Sequence, residues 1–220
     1  MPAQLTLALP VRAALGRADF LVSPANRTAL DLIDRPDLWP QGKLILAGPE
    51  GAGKSHLAEV FAHDRAAMIV EARDLFDIDP APDALVVEDM EELPADRQEM
   101  MFHLHNRIAA RGGLLLMTAR RPVADWGLTL ADLQSRMAAA AVVRLDPPDD
   151  ALLAALIVKL FADRQLQVPA TVVTYLVGRI ERSFAAARAV VAAIDARSLA
   201  LGRPVTRALA AEVLDRTAAP

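Results

Sequence analysis

Eight consecutive residues, Gly48-Pro49-Glu50-Gly51-Ala52-Gly53-Lys54-Ser55, have the types and spacing needed to hold a polyphosphate. They fit the pattern Gly-x-x-x-x-Gly-Lys-Ser/Thr. Glycines let backbone amides turn inward around phosphate oxygens, and a helix starting at the loop adds the partial positive charge of its N-terminus. Lys54 is long enough to reach the β- and γ-phosphates, and the Ser55 hydroxyl suits Mg²⁺. The flanks agree with the loop. Leu44-Ile45-Leu46-Ala47 reads as a buried strand before it, and Leu57, Val60 and Phe61 lie on one face of a helix after it. A second stretch, Ala84-Leu85-Val86-Val87-Glu88-Asp89, is an apolar strand ending in two acids. One carboxylate would contact the Mg²⁺ shell and the next would orient an attacking water. Glu88 stands where aspartate is usual, and its extra methylene moves the carboxylate outward. Slow intrinsic hydrolysis is the expectation. Acids after a strand also cap helices, and that reading stays open.

These groups need a scaffold. Short apolar runs at 43–47, 67–70, 84–87, 114–118 and 142–145 alternate with helical patterns at 54–64, 95–110 and 130–138. Strands that are apolar throughout belong in a parallel sheet with helices on both faces. The pattern therefore predicts an α/β fold with a parallel five-stranded sheet. At Asp146-Pro147-Pro148 the strands stop, and four helical patterns fill the remaining seventy or so residues. The expected division is a tail at 1–12, a nucleotide-binding base at 13–147 and a helical lid at 148–220, hinged at the double proline.

Composition narrows the function. The chain has 220 residues, 54% hydrophobic and 24% charged, enough to bury a core. A net charge of −4 argues against a protein held to nucleic acid chiefly by phosphate contacts. The absence of cysteine excludes disulfides and thiolate metal sites. No apolar run reaches the roughly 18 residues needed to span a bilayer, and no secretory leader is visible. A cytoplasmic location is the expectation. His56, His63, His103 and His105 have no zinc-ligand spacing, so metal binding through histidine is not expected. Among 24 basic residues only Lys43, Lys54 and Lys159 are lysines.

Further segments carry a resemblance. Phe20-Leu21-Val22-Ser23-Pro24-Ala25-Asn26, the phosphate loop continuing into His56-Leu57, Leu116-Met117-Thr118-Ala119-Arg120-Arg121-Pro122 and Leu130-Ala131-Asp132-Leu133-Gln134-Ser135-Arg136-Met137 resemble the AAA+ family. Within it they resemble the branch of DnaA-type initiators and their shortened Hda-type relatives. The likeness covers essentially residues 16–217. It implies an AAA+ P-loop core followed by an all-helical lid, with ADP or ATP and Mg²⁺ bound between them. Phe20 and Val22 would pack on adenine, and Gly48–Ser55 with His56 would hold the phosphates. Ser55 and Glu88 would serve the metal, and Glu88 and Asp89 would be the acids of the hydrolytic site. The first sensor position is occupied by Arg120, which would face phosphate or solvent. The second sensor arginine falls at Ala185, with Arg182 and Arg188 a turn away on either side as possible substitutes. Arg136 takes the place of the family's arginine finger, which acts on a neighbour's nucleotide. The DNA-reading helix-turn-helix domain of the initiators has no counterpart, so direct sequence-specific DNA binding is not implied.

Gln4-Leu5-Thr6-Leu7-Ala8-Leu9-Pro10 resembles the sliding-clamp-binding peptide of the Hda-type group. In an extended segment Leu5, Leu7 and Leu9 share one side and can enter an apolar cleft, with Gln4 bonding at its edge. The resemblance implies negative regulation of replication initiation. The protein would dock on the DNA-loaded clamp, the β subunit of DNA polymerase III, and stimulate hydrolysis of DnaA-bound ATP through Arg136. Self-association is left open and no membrane contact is implied. Rival expectations are a DnaA-related ATPase or adaptor that loads another replication factor, a membrane-linked DnaA relative and a small-molecule kinase.

Overall fold

The computed structural model describes Arg17 and residues 20–217. Gln4, Leu5, Leu7 and Leu9 lie outside the described residues. Among the described residues eight α-helices and five strands follow in chain order: α1 (Arg27–Asp34), β1 (Lys43–Ala47), α2 (Lys54–Arg65), β2 (Met68–Glu71), β3 (Ala84–Glu88), α3 (Gln98–Ala110), β4 (Leu114–Ala119), α4 (Ala131–Ala138), β5 (Ala141–Arg144), α5 (Asp150–Ala162), α6 (Ala170–Val177), α7 (Phe184–Leu201) and α8 (Arg207–Thr217). The strands form one parallel sheet in the order β2-β3-β4-β1-β5.

The pleat sorts each strand's side chains between two cores. Ile45, Leu85, Val87, Leu115 and Met117 meet Met101, Leu104 and Ile108 of α3 and Leu133 and Met137 of α4 on one face. Leu44, Leu46, Val86 and Leu116 meet Ala29 and Ile33 of α1 and Leu57, Ala58 and Phe61 of α2 on the other. Covering both faces is what lets the strands be apolar at successive positions. The five strands expected from the sequence are present, with ends shifted by a residue or so.

Two features differ from the expectation. Helix α1 buries only Ala29 and Ile33, too narrow a stripe to stand out as a period. The expected helix over 95–110 is split into a 3₁₀ turn at Ala95–Arg97 and α3.

Helices α5–α8 form a third core around Leu153, Ile157, Phe161, Leu176, Val191 and Ile194. Asp149 caps α5 by accepting from the Leu152 amide at 2.7 Å. Ser183 caps α7 through the Ala186 amide at 3.0 Å, and Gly202, in the left-handed region, ends α7. The segment after Phe20 bridges the two halves. Phe20 is buried with the sheet, whereas Leu21 packs against the lid helices.

Candidate phosphate-loop site

The phosphate loop leaves the C-terminal end of β1 and opens into α2. It is pinned by the Gly48 amide donating to Ala119 O at 3.1 Å. Gly53 has φ +96° and precedes the helix, a conformation L side chains rarely adopt. A Cβ on Gly51 would lie 2.5 Å from the Ser183 Cβ. Glycine there is what lets the lid close on the loop. The Phe184 amide donates to Gly51 O at 2.9 Å, tying the start of α7 to the loop.

Lys54 is buried, with Nζ donating to Gly48 O at 2.8 Å and to Pro49 O at 2.9 Å. Burial pushes its pKa down, while the negative charges of Asp89 and Glu91 oppose that shift. The ammonium is thus held inside the loop by neutral carbonyls, where a polyphosphate would offer charged acceptors.

A cavity of about 140 Å³ lies between loop and lid, lined by Gly51, Gly53, Lys54, Ser55, His56, Phe184, Ala185 and Arg188. Of the two arginines considered for the second sensor role, Arg188 is the one that lines this cavity, and it has no ion pair among the described residues. Arg182 instead pairs with Asp150 at 2.8 Å, both well exposed. That corrects its expected placement toward the nucleotide. Ala185 and Arg188 are on α7 and line the cavity, whereas Arg182 precedes the Ser183 cap and lies outside the helix.

Phe20 lies edge-to-face on His56, with centroids 5.2 Å apart. It therefore touches the residue that follows the phosphate loop. Val22 is 44% exposed. The loop carrying both is fixed by buried Asn26, which accepts from the Ser23 amide and donates to Leu21 O, each at 2.8 Å. Sequence reasoning did not single out Asn26. A polar residue before a short helix reads as an ordinary cap, yet its side chain organises the preceding loop.

Ser55 lies near Glu88, close enough for its hydroxyl to stabilise the carboxylate. Burial raises the Glu88 pKa and the Ser55 hydroxyl counters it. Its buried Oε1 has no hydrogen-bond partner among the described residues. Asp89, at φ +51°, donates its amide to the Thr118 hydroxyl at 3.0 Å. Its pKa is raised by burial and pulled back by Arg120. Arg120 lies at the exposed surface, where it is paired with two carboxylates. Its Nε donates to Glu91 at 2.8 Å and its Nη2 to Glu92 at 2.5 Å. Burial favours protonation of Glu91, but its hydrogen bonds from Arg120 outweigh that and lower its pKa. The polar group at the end of β4 is Thr118, a residue the sequence reading passed over as part of an apolar strand.

An orphaned buried carboxylate oxygen beside a serine hydroxyl, next to a loop shaped for phosphate, fits Mg²⁺. Among the described residues no group of three or more His, Cys, Asp or Glu could hold a metal by itself. Ser55 and Glu88 would therefore hold the ion together with phosphate oxygens and water.

The buried Glu88 charge has a stability consequence. A carboxyl whose folded pKa is raised destabilises the folded state above that pKa, and the cost is relieved as pH falls through it. Glu88→Gln keeps an acceptor for Ser55. It is expected to raise Tm at pH 7 by about 2–4 °C, the shift that about 1 kcal/mol produces at this chain length. The gain should shrink as pH is lowered toward 5. Thermal melts at both pH values test this, and a lower Tm for the variant at pH 7 would contradict it.

Arg136 lies in the last turn of α4, exposed, on the rim of a separate cavity of about 710 Å³ that Trp39, Gly42 and Gly113 also line. Its carbonyl accepts from Lys43 Nζ at 2.9 Å. Lys43 opens β1 and the phosphate loop leaves the other end of that strand. At roughly 3.3 Å per residue the strand separates the two by about 13 Å. Arg136 and the phosphate loop thus occupy opposite ends of the sheet.

No family model matches the chain. It is 27% identical over 228 residues to the chromosomal replication initiator protein DnaA of Thermomicrobium roseum. The match covers 89% of this chain and 48% of that protein, so the chain spans about half the length of this curated relative. Domain III of Thermotoga maritima DnaA superposes with a TM-score of 0.82 at 19% identity, covering 96% of this chain and all of that domain. AMPPCP-bound DnaA from Aquifex aeolicus gives 0.69 at 16% identity, over 82% of this chain and 65% of that one. The Thermotoga maritima RuvB branch-migration motor gives 0.71 at 14%, over 91% and 71%.

The fold is that of an AAA+ module, a parallel five-stranded α/β base followed by a helical lid. Within that class the chain is similar in sequence to DnaA, and its fold matches that of DnaA domain III. Among the described residues no helix is long and apolar enough to cross a membrane.

Proposed function

We propose that this protein is a nucleotide-bound negative regulator of replication initiation, working in the cytoplasm on a DnaA partner. ADP or ATP with Mg²⁺ sits in the cleft between Gly48–Ser55 and the start of α7, with Lys54 and Arg188 on the phosphates and Ser55 and Glu88 toward the metal. The nucleotide bound by Aquifex aeolicus DnaA supports this reading. The N-terminal segment from Gln4 to Leu9 docks on the DNA-loaded sliding clamp. Arg136 is then presented to ATP bound by DnaA, where a guanidinium stabilises charge developing on the γ-phosphate. DnaA is left with ADP and loses its initiation-competent form.

The observation that carries the reading is the position of Arg136. It is exposed, unpaired among the described residues and at the far end of β1 from its own phosphate loop. An arginine so placed has no route to its own nucleotide but can reach a neighbour's.

The clamp arm of the proposal is tested by surface capture on immobilised clamp. Gln4→Ala, or Leu5→Asp with Leu7→Asp, should abolish capture, with a thermal melt run beside it to check that the fold is kept. Unaltered capture would remove the tail from the mechanism. ATP turnover by the chain alone, with Mg²⁺, separates the main rival. Slow turnover is expected, whereas appreciable turnover without partners favours an independent loader.

A further inference from the structure

Helix α4 stops being α-helical just beyond Arg136. The Ala139 amide donates to Ser135 O at 3.2 Å, but the Ala140 amide turns to Met137 O at 3.1 Å rather than to Arg136. The Arg136 carbonyl is thereby left without a backbone donor, as last-turn carbonyls commonly are. Lys43 fills the gap from 93 residues away, its Nζ donating to that carbonyl at 2.9 Å.

Lys43 is an unusual residue to find there. It is 1% exposed and heads the largest fully buried side chains. It has no carboxylate partner among the described residues. A buried ammonium satisfied only by a neutral carbonyl is poor design for stability, since an apolar residue of the same volume carries no desolvation cost. The chain otherwise favours arginine, with lysine at only three of 24 basic positions. A compact ammonium fits a closed slot that a planar guanidinium fork does not.

We infer that Lys43 is a positioning residue for Arg136. It fastens the carbonyl of the residue whose side chain is to be presented and neutralises the negative end of α4. Its positive charge beside Arg136 also disfavours folding of the guanidinium back onto the sheet. Because β1 runs from Lys43 into the phosphate loop, one rigid strand sets both ends. This inference rests on the trans reading of Arg136 proposed above.

The test uses the full chain carrying Lys43→Met, an apolar side chain of similar length. Tm, capture by the clamp and stimulation of ATP hydrolysis on DnaA, with clamp on DNA, are measured across a range of protein concentrations. Arg136→Ala is run in parallel. Tm should be unchanged or higher and capture intact. The maximal stimulated rate should fall by about tenfold or more, as small misplacements of reacting groups cost, with the half-saturating concentration within about twofold of wild type. A wild-type maximal rate for Lys43→Met beside an inactive Arg136→Ala overturns the role of Lys43 alone. Wild-type rates for both variants overturn the trans reading itself. Should Lys43→Met melt below the wild type, Lys43→Gln, which keeps an N–H donor, is compared with it at equal folded fraction. Higher stimulation by the glutamine variant supports positioning, and equal stimulation overturns it.

Discussion

Arg136→Ala is expected to fold normally, keep its response to ADP and still be captured by the sliding clamp, yet lose nearly all stimulation of ATP hydrolysis on DnaA. The expected loss is about 10³-fold or more, within the range that arginine fingers supply in trans. The geometry underlies this separation of effects. The side chain is exposed in the last turn of α4, far from the loop that would hold its own nucleotide. Removing it touches neither core nor cleft. Arg136→Lys should rescue poorly, because a point charge does not reproduce the planar fork of donors. A surface arginine with no such role would give near-wild-type stimulation and a stability change within about 1 kcal/mol. Single-turnover measurement of ATP on DnaA distinguishes the two.

Lys54→Ala carries the second large effect. Removing a charge-assisted contact to phosphate costs about 1.5–3 kcal/mol, roughly ten- to a hundredfold or more in affinity for ADP. Lys54 Nζ is held between Gly48 O and Pro49 O, inside the loop that would take the phosphates. Bound nucleotide stabilises by mass action, and millimolar ADP with Mg²⁺ should raise the wild-type Tm and leave the variant's nearly unmoved. A wild-type Tm that ignores ADP would count strongly against a working phosphate loop.

Much of the base was legible because its signals are local. Leu44 and Leu46 face one core and Ile45 the other, and an uninterrupted apolar run is how a doubly covered strand reads. The loop from Gly48 to Ser55 was legible for the same reason, since one short segment carries the glycines, lysine and serine together. Helix α1 was not, because two buried residues make no period. Contacts that join distant segments were also hidden. Nothing in the order of residues places Arg120 between Glu91 and Glu92, or sends Arg182 to Asp150 while Arg188 faces the loop. Those contacts join segments about thirty residues or more apart, so only the tertiary fold sets them. Thr118 was masked by its apolar neighbours, although it receives the Asp89 amide. Lys43 looked like an ordinary flank of a strand, and only the tertiary fold brings it under Arg136.

The most direct measurement follows the ATP bound to purified DnaA with time, in the presence of clamp loaded on DNA, with and without this protein. Conversion to ADP should accelerate sharply when the protein is added, only while the clamp is on DNA, and fall back when Arg136→Ala replaces the wild type. An unchanged rate of conversion on adding the wild-type protein, with its nucleotide bound and the loaded clamp present, would contradict the proposed function at its centre.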